Sequence, residues 1–411
     1  MEIKPLLDFA SFTDIQSRCY PGMGLTTEED KQKATEHREK MDQYDRINHI
    51  GVYEENNLVA GYIHYSLPMN VYDQTIPSAG VGTLAVDLPY KKKGIAKQMV
   101  THFIEQAKRE GYPLVHLYPF RPDFYRKMGF GFGPQLSLYQ FSPAKLPYFD
   151  KITAATRLDD QQEIQRFYNE WAEETHGACN KADYEFRHVG MAHTDVIGCR
   201  INGRLEGYMI YQFKRETGDT FLRHDLHVTD WFTRTDEAFQ SLINFLHNQK
   251  DQVRSVVFPT YDDSLAFLLD DPRNVNEDLI FRLYHETHKR GTGVMYRIVD
   301  LPLFMKYISE HSFGSETVTV HFDVKDTLME TERTTYSYRF ERGKPHMCDD
   351  IDDGVRVAIG IADLSSLLMG CVSLSTLLLY KRVEVKGSEG HAGQVKRLFD
   401  SPQKPENWSF F

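Results

Sequence analysis

Apolar and polar positions in the first 150 residues follow a pattern that predicts a mixture of helices and strands. Two helical stretches come first. Two alternating runs on either side of an asparagine turn then form a hairpin pattern. A short apolar strand, an amphipathic helix that ends near residue 109, a second short strand and one helical turn complete this part. The predicted ranges are 9–19, 26–44, 49–54, 58–67, 81–86, 95–109, 114–118 and a turn that carries Phe124 and Tyr125.

The strand at 81–86 leads into a basic turn that opens the following helix. The turn and the start of the helix contain Lys91, Lys92, Lys93, Gly94, Ile95 and Ala96. Amides in the first turn of a helix, together with the helix dipole, attract anions. Glycine lets the backbone approach a ligand closely, and each lysine adds roughly 1 kcal/mol when partly exposed. This order of elements predicts a pyrophosphate site, and the alternative is that the lysines form a solvated face.

A weaker second copy of this arrangement follows later in the chain. Asn56, Gly61, Tyr62 and Tyr65 recur at the same offsets as Asn202, Gly207, Tyr208 and Tyr211. The second copy lacks the lysines and the glycine, and it carries Asp236 and Glu237 near the helix start, where they would repel a phosphate. We therefore expect it to be structural. The alternating glycines at 129–133 do not link a strand to a helix, and they predict a turn entering a closing strand.

From about residue 301 the pattern predicts a separate α+β module. Strands are expected at 317–324, 334–340 and 354–360, and short helices at 365–369, 375–383 and 394–399. The chain ends in Trp408, Phe410 and Phe411, whereas chain ends are usually polar. Burial of the last two would contribute roughly 2–3 kcal/mol each, so this end is expected to fill a site or patch a local core. Three domains are predicted, over 1–150, 151–298 and 299–411.

Composition limits the classes of partner that the protein is expected to bind. The formal net charge of −11 disfavours nucleic acid and suits a cationic substrate. The five cysteines are scattered and form no C-x-x-C pair, which predicts reduced thiols in a cytoplasmic protein, without disulfides or zinc. His285 and His288 are too close together for zinc-protease spacing, so no metal is expected. No apolar run of about 18 residues is present, so no membrane partner is expected.

The basic turn resembles the acyl-CoA-binding motif of GNAT acetyltransferases, Arg/Gln-x-x-Gly-x-Gly/Ala, with Lys91 at the first position. With residues 124–131 and the aromatic end, the whole chain resembles the Eis (enhanced intracellular survival) type. That resemblance implies a mixed α/β (α+β) protein: two tandem GNAT folds, each a mixed sheet flanked by helices, and a sterol-carrier-protein-like α+β domain. It also implies acetyl-CoA as co-substrate, a small-molecule or peptide amine as acceptor, and a homo-oligomer, usually a hexamer.

Carried over by motif, the resemblance assigns Tyr125 as general acid and the free carboxylate of Phe411 to the active site. Phe410 stands at a penultimate position that is acidic in some members. Leu84, Ala85 and Val86 would bind the pantetheine arm, and residues 91–96 the diphosphate. The amine would attack the thioester directly, since no cysteine lies near the motif in sequence.

Alternatives remain for several residues. Tyr125 could instead pack under the glycine turn, and His116 and Tyr118 could line the cleft or belong to the core. A second hypothesis is a non-enzymatic carrier or sensor of acyl-CoA or lipid, suggested by the apolar run over 364–380, which could equally be core.

Overall fold

The structure is a computed structural model that describes residues 1–186, 194–215, 224–329, 332–349, 354–400, 403–409 and 411. The chain divides into two compact units. Met1–Gly133, His176–Ala178 and Val294–Phe411 form the first, and Pro134–Thr175 and Cys179–Gly293 form the second. Over the described ranges, no helix combines the length and the apolar character needed to cross a membrane. The same ranges hold no group of three or more His, Cys, Asp or Glu side chains placed to bind a metal ion.

The N-terminal part of the first unit contains eight strands and four α-helices among the described residues. They are β1 Glu2–Pro5, α1 Phe9–Cys19, α2 Glu28–Met41, β2 Ile47–Glu54, β3 Asn57–Ser66, β4 Met69–Val71, β5 Gln74–Ile76, β6 Ser78–Val86, α3 Ile95–Arg109, β7 Leu114–Leu117, α4 Pro122–Lys127 and β8 Gly131–Phe132.

The second unit and the remainder of the first follow. The second unit contributes β9 Gln135–Phe141, β10 Thr156–Arg157, α5 Gln161–Glu174, β11 Asp195–Ile201, β12 Arg204–Arg215, β13 His224–Thr233, α6 Asp236–His247, β14 Val253–Thr260, β15 Leu279–Ile280, β16 Tyr284–His285 and β17 His288–Thr292. The first unit resumes with β18 Met295–Ile298, α7 Leu301–Tyr307, β19 Val318–Lys325, β20 Arg333–Glu341, β21 Lys344–Met347, β22 Val355–Gly360, α8 Ile361–Leu368, α9 Leu374–Leu379, β23 Val383–Lys386 and α10 Glu389–Phe399.

The first sheet has the order β1-β2-β3-β6-β7-β18-β8. Helix α3 packs on it because its apolar residues recur every three or four positions and are fully buried. These residues are Ile95, Met99, Val100, Phe103, Ile104 and Ala107. They share one core with apolar side chains of the sheet and with Tyr125 and Phe130. The helix that follows the basic turn is thus fixed on the sheet by its own hydrophobic stripe.

Two strands lie in a different sheet from the one that their place in the sequence predicts. Strand β9 falls within residues 1–150 but pairs with β14 and β17 of the second unit. Strand β18 falls within 151–298 but pairs with β7 and β8 of the first sheet. Each provides backbone partners for a sheet that would otherwise present an open edge there. Periodicity shows that a segment is a strand and does not show which strand it will pair with.

The second unit repeats the first sheet in outline. Its order is β10-β11-β12-β13-β14-β9-β17, with an antiparallel β11–β12 hairpin and a parallel β13–β14 pair. The same features occur in β2–β3 and β6–β7. Helix α6 buries Ala238, Leu242, Ile243 and Leu246 and occupies the position of α3 between the parallel strands. The internal repeat seen in the sequence therefore corresponds to a repeated fold.

The C-terminal sheet has the order β21-β20-β19-β22-β23. Most of the apolar run over 364–380 contributes to the core of this part, since Leu364, Leu368 and Leu374 are fully buried, whereas Leu379 and Tyr380 at its end are exposed. One predicted helix, over 375–383, is too long. Helix α9 ends at Leu379, and Val383 begins β23. Lys381 has a φ of 54°, a turn conformation that the apolar pattern of the segment does not reveal.

Candidate active site

The basic turn after β6 is anchored by an ion pair beneath it. The carboxylate of Asp87 accepts two hydrogen bonds from Arg18, from Nε and Nη2, each 3.0 Å long. It also accepts the amide of Leu88 at 2.8 Å, which starts a 3-10 turn over Leu88–Tyr90. The backbone then reverses at Lys92, with a φ of 64°, before α3 begins.

Gly94 is the position at which this turn requires a glycine. It precedes α3 with a φ of 84°, in the left-handed region that side chains rarely adopt. A Cβ placed on it would meet no protein atom within 4 Å, so the space beyond it is free. The first amides of an α-helix have no partner within the helix. The turn therefore presents N–H donors and lysine side chains to that free space.

A cavity of about 350 Å³ opens at this turn, between the end of β6 and helix α4. Most of the residues predicted to bind the coenzyme line it, together with the predicted general acid: Leu84, Ala85, Val86, Lys91, Lys92, Gly94, Ile95, Ala96 and Tyr125. The structure places Lys93 outside this lining. Its Nζ lies 4.6 Å from the ring centroid of Tyr90.

Other residues of the cavity lining were not found from the sequence. They are Cys19, Tyr20, Tyr90, Lys97, Phe120, Arg121 and Phe124. Tyr20 follows α1, and its hydroxyl donates a 2.5 Å hydrogen bond to the carbonyl of Leu84. No motif marks α1 as part of the site. The aromatic residues just before Tyr125 were the available signal, because three rings within six positions are unusual for an exposed turn.

Cys19 corrects the expectation that no cysteine is near the motif. Its thiol lies in the cavity wall and donates to the carbonyl of Val86 at 3.1 Å. Burial raises the pKa of the Cys19 thiol, which keeps it protonated and weakly nucleophilic. All five cysteines carry free thiols. Proximity in space therefore does not make Cys19 a candidate nucleophile.

Strands β6 and β7 run in parallel and then separate beside the cavity. Their pairing joins Ser78 to Leu114 and ends at Gly80 and His116. Further along β6, a bulge opposite Gly61 and Ile63 inserts one extra residue, and Thr83 there has a φ of 48°. The backbone of residues 84–86 is thus left without a partner strand on the β7 side within the described pairing. Such an edge can hydrogen-bond an extended ligand.

Tyr125 lies on the short helix α4 with its ring largely buried, 8% exposed. Its ring makes edge contacts with Phe124 and Phe130, at centroid distances of 5.1 and 6.0 Å. Burial raises the pKa of Tyr125 to about 12. The hydroxyl is therefore protonated at any physiological pH. Tyr125 therefore packs against its aromatic neighbours and also lines the cavity, and its role as general acid stays a prediction.

The C-terminal residue lies against the middle of β6. A Cβ placed on Gly82 would be 3.0 Å from the carbonyl carbon of Phe411, so the chain end needs a glycine there. The Phe411 ring contacts Tyr65, His116 and Tyr118 at centroid distances of 5.4, 5.0 and 5.7 Å. The structure therefore places Phe411 where β6 and β7 separate, with the three aromatic rings around it.

The segment before Phe411 is fixed by hydrogen bonds within the first unit. The amide of Glu406 donates to the carbonyl of His176 at 2.7 Å. The Tyr118 hydroxyl lies 3.3 Å from both the carbonyl and the side-chain oxygen of Asn407. Asn407 and Ser409 are fully buried. Phe410 lies outside the described residues, so the penultimate position expected to differ from the family is not described.

His116 is a fully buried residue of the same site. Its Nε2 lies 3.3 Å from the hydroxyl oxygen of Ser78, whose own proton is donated to the carbonyl of Leu67. Nε2 must therefore carry the imidazole proton, and Nδ1 is left with a lone pair and no hydrogen-bond partner among the described residues. Burial lowers the pKa of His116 to about 3, so the ring is neutral.

The equivalent position in the second unit is closed to an anion. The N-cap of α6 is Thr235, whose hydroxyl already accepts the amide of Ala238 at 3.2 Å. Asp236 and Glu237 add two carboxylates in the first turn. A phosphate would be repelled by these two carboxylates, and the amide of Ala238 already donates to Thr235. This geometry agrees with the expectation that the second copy is structural.

Comparison with known proteins gives three family matches along the chain. Residues 7–133 and 164–298 match two families that are both described as acetyltransferase (GNAT) domain. Residues 305–408 match a family described as sterol carrier protein domain. No curated protein matches the chain.

Several solved structures share the fold over the whole chain. A GCN5-related N-acetyltransferase from Anabaena variabilis has a TM-score of 0.79 at 17% identity, covering 100% of both chains. A probable N-acyltransferase from Enterococcus faecalis has a TM-score of 0.78 at 18% identity, covering 100% of this chain and 99% of that one. Eis1 from Mycobacterium abscessus has a TM-score of 0.77 at 18% identity, covering 100% of both.

The chain consists of two GNAT acetyltransferase domains followed by a sterol carrier protein domain, which supports an N-acetyltransferase. It has this architecture in common with Eis1, so the Eis-type resemblance and the predicted fold class are confirmed.

Proposed function

We propose that this protein transfers the acetyl group of acetyl-CoA to a primary amine by direct attack of the amine on the thioester. The observation that supports the proposal is the presence of three features on the same sheet of the first unit, although Phe411 is not among the residues that line the cavity. They are a basic turn at the start of α3, Tyr125 in the wall of the same cavity, and the chain end beside the separation of β6 and β7.

The cavity at the turn would hold the diphosphate end of the coenzyme. Its diphosphate would lie against the amides of residues 92–96, where Lys91 and Lys92 supply positive charge. The pantetheine arm would lie beside the end of β6 and pair with the backbone of residues 84–86. A backbone amide there would stabilise the developing oxyanion, a contribution of up to about 3–4 kcal/mol. The free space beyond Gly94 is the direct support for this placement.

The surroundings of the chain end suit a cationic acceptor. The carboxylate of Phe411 would attract an ammonium group, and the rings of Tyr65 and Tyr118 can add cation–π attraction. Because His116 is neutral, it does not repel the cation. Polyamines, lysine-like amines and aminoglycoside-like amines all belong to this substrate class.

The carboxylate of Phe411 serves to orient the amine and is a poor base for it. A lysine-like amine has a pKa of about 10.4 and an α-carboxylate about 3.5, so direct proton transfer costs roughly 9–10 kcal/mol in water. We propose that a chain of waters carries the first proton of the ammonium to bulk solvent before attack. The thioester carbon then gains the C–N bond and loses the C–S bond, the nitrogen releases its second proton to the same waters, and CoA leaves as a thiolate.

Tyr125 would stabilise that thiolate mainly as a hydrogen-bond donor. Its pKa of about 12 exceeds that of a thiol, about 8.5, by a gap worth about 5 kcal/mol. Full proton transfer to sulfur is therefore uphill, and the thiolate can take its final proton from water after release. A donor aimed at developing charge still lowers the barrier.

The test is release of free thiol from acetyl-CoA with a panel of primary amines. Wild-type protein should turn over at least one amine, and Tyr125→Phe should lower kcat about 100-fold. Tyr148→Phe, at an exposed position of the second unit, is the matched control and should keep full activity. Absence of turnover on every amine, or an unaffected Tyr125→Phe variant, would refute the proposal.

We further propose a homo-oligomer located in the cytoplasm, with a hexamer as the expected form. One supporting feature is the β15–β16 hairpin, which exposes five large apolar side chains, a pattern typical of contact surfaces. Their exposed fractions run from 53% to 86%, at Leu279, Ile280, Phe281, Leu283 and Tyr284. Light scattering after size exclusion tests the assembly, and a monomer would contradict it.

A further inference from the structure

A second cavity, of about 370 Å³, lies beside α4 in the first unit. We call it the basic cleft. Its walls come from the acetyltransferase domain at α4 and from the sterol carrier domain around β19, α8 and the start of β23. Six basic side chains line it: Arg126, Lys127, Lys325, Arg333, Lys381 and Arg382. It shares no lining residue with the coenzyme cavity.

Among the residues that the structure describes, two acidic side chains line the basic cleft, and one of them is already paired. Asp363 is buried and forms ion pairs with both Arg126 and Arg382, the latter at 2.9 Å. The second, Glu384, lies 3.6 Å from Lys386, which is not a lining residue. Arg126 thus joins the acetyltransferase domain to the sterol carrier domain through Asp363, and four basic side chains of the lining are not paired with that carboxylate.

Three lysines and Arg333 supply that remaining charge. Lys127, Lys325 and Lys381 form no ion pair within 4.0 Å with any carboxylate of the described chain. All three side chains are exposed and reach the cleft from three different elements. Like charges that converge in this way repel one another unless an anion lies between them. The convergence is more notable in a chain whose net charge is −11.

The first turn of α8 adds donors to the same space. Its N-cap is Gly360, which has no side chain to accept the helix amides, and residues 360–362 form part of the lining. Helix dipole and free amides favour an anion at this end, and the carboxylate in this first turn, Asp363, is already paired with Arg126 and Arg382. Lysines and helix amides together are the usual partners of phosphate oxygens.

We propose that the basic cleft binds a small, multiply phosphorylated anion. Its volume lies within the range of ordinary ligand sites, about 300–1,000 Å³. The acidic surface of the protein as a whole disfavours a long polynucleotide there, whereas a compact anion meets only the local charge. The cleft and the coenzyme cavity are lined by adjacent residues of α4. Tyr125 lines the coenzyme cavity, and Arg126, the next residue, lines the cleft.

The experiment is a calorimetric titration of the full-length protein with inorganic tripolyphosphate. Four proteins are compared: wild type, Lys325→Gln/Lys381→Gln, Lys396→Gln and Lys92→Gln. The double variant removes two cleft lysines, and Lys396→Gln removes one exposed lysine elsewhere in the same domain. Lys92→Gln reports on the coenzyme turn, which is the other place where a phosphate could bind.

Wild-type protein should bind tripolyphosphate, and the double variant should bind it at least about tenfold more weakly, as expected for two lost charge-assisted contacts. Lys396→Gln and Lys92→Gln should retain one binding event of wild-type affinity. Absence of binding to wild type would overturn the proposal, as would a loss confined to Lys92→Gln or equal in all variants. Because the lysines are exposed, each variant should keep the wild-type melting temperature, which shows that it is folded. If the double variant melts at a lower temperature, Lys381→Gln alone takes its place in the titration.

Discussion

Phe411 packs its ring against Gly80, so that a Cβ on that glycine would lie 2.5 Å from the ring. The last residue of the chain therefore lies against the sheet of the first acetyltransferase domain. The glycine leaves room for the ring, and the rings of Tyr65 and His116 enclose it. The position of the chain end therefore depends on the lack of a side chain at Gly80 as much as on the contacts between aromatic rings.

Replacing Gly80 by alanine should displace the chain end. The new methyl group would clash with the Phe411 ring and with Leu67, which lies 2.9 Å from the same Cβ position. We expect kcat/KM for the amine to fall by up to about 100-fold, the usual cost of misplacing a group by about 1 Å. The affinity for CoA, measured by calorimetry, should change less than about twofold, since it depends on the turn and not on the chain end.

Gly22→Ala is the control for this change. A Cβ at Gly22 would meet no atom within 4 Å, and the residue has an ordinary backbone conformation. Its activity should equal that of wild type. If Gly80→Ala also kept full activity, the chain end would have no place in the reaction.

An extension beyond Phe411 should depress activity in the same selective way. Extra residues would convert the terminal carboxylate into an amide and remove the negative charge proposed to attract the ammonium. Steady-state kinetics should show a raised KM for the amine and a lowered kcat, with CoA affinity near wild type. A single added glycine is the mildest form of the test. Full activity in that variant would remove the role of the carboxylate.

The lysines of the basic turn should differ in their effect on the coenzyme. Lys91→Gln and Lys92→Gln should each raise KM for acetyl-CoA about fivefold, from a loss of about 1 kcal/mol per exposed charge. Lys93→Gln is the matched control in the same run, because Lys93 lies over Tyr90 and outside the cavity lining. Its effect should be smaller than about twofold. Equal effects at all three positions would favour long-range charge over a defined phosphate site.

The stability of the first unit should fall below neutral pH because of two histidines, one buried and one half-buried. Tyr72 stacks between His176 and His311, at centroid distances of 4.0 and 3.7 Å. Burial lowers the pKa of both imidazoles to about 4. The unfolded chain, with a histidine pKa of about 6.5, therefore binds more protons than the folded one between these values. Stability is fully present above about pH 6.5 and is lost as the pH falls towards 4.

His311→Phe separates this effect from other titrations. A phenyl ring preserves the stack on Tyr72 and does not titrate, so the fall in melting temperature between pH 7.5 and 4.5 should be smaller than in wild type. His391→Gln, in the exposed first turn of α10, serves as the control and should leave the wild-type difference unchanged. An identical pH dependence in wild type and His311→Phe would contradict the assignment.

The coenzyme half of the site could be predicted because its determinants are local. Residues 91–96 carry their charge, their glycine and the start of a helix within one short run, and eight of the nine predicted coenzyme residues line one cavity. Tyr20 could not be found in this way. It reaches Leu84 only because α1 packs across the end of β6, a contact between segments far apart in the chain.

The acceptor half of the proposed site, around Phe411, could be predicted from the family resemblance but not from the pattern of residues. Nothing in the run around Phe411 predicts that Gly80, Tyr65 and His116 will surround it. Those residues lie hundreds of positions earlier, and alternation along each strand shows only that they occupy a sheet. Likewise, the lysines of the basic cleft are scattered in sequence, and their convergence is visible only after folding.

The local elements, the repeated acetyltransferase pattern and the basic turn can be predicted from the order of neighbouring residues. The exchange of β9 and β18, the burial of the chain end and the charge of the basic cleft appear only in the folded chain. Backbone pairing and side-chain convergence join distant segments, which no local pattern describes. Their partners are set by which sheet edges and glycine spaces the fold leaves open.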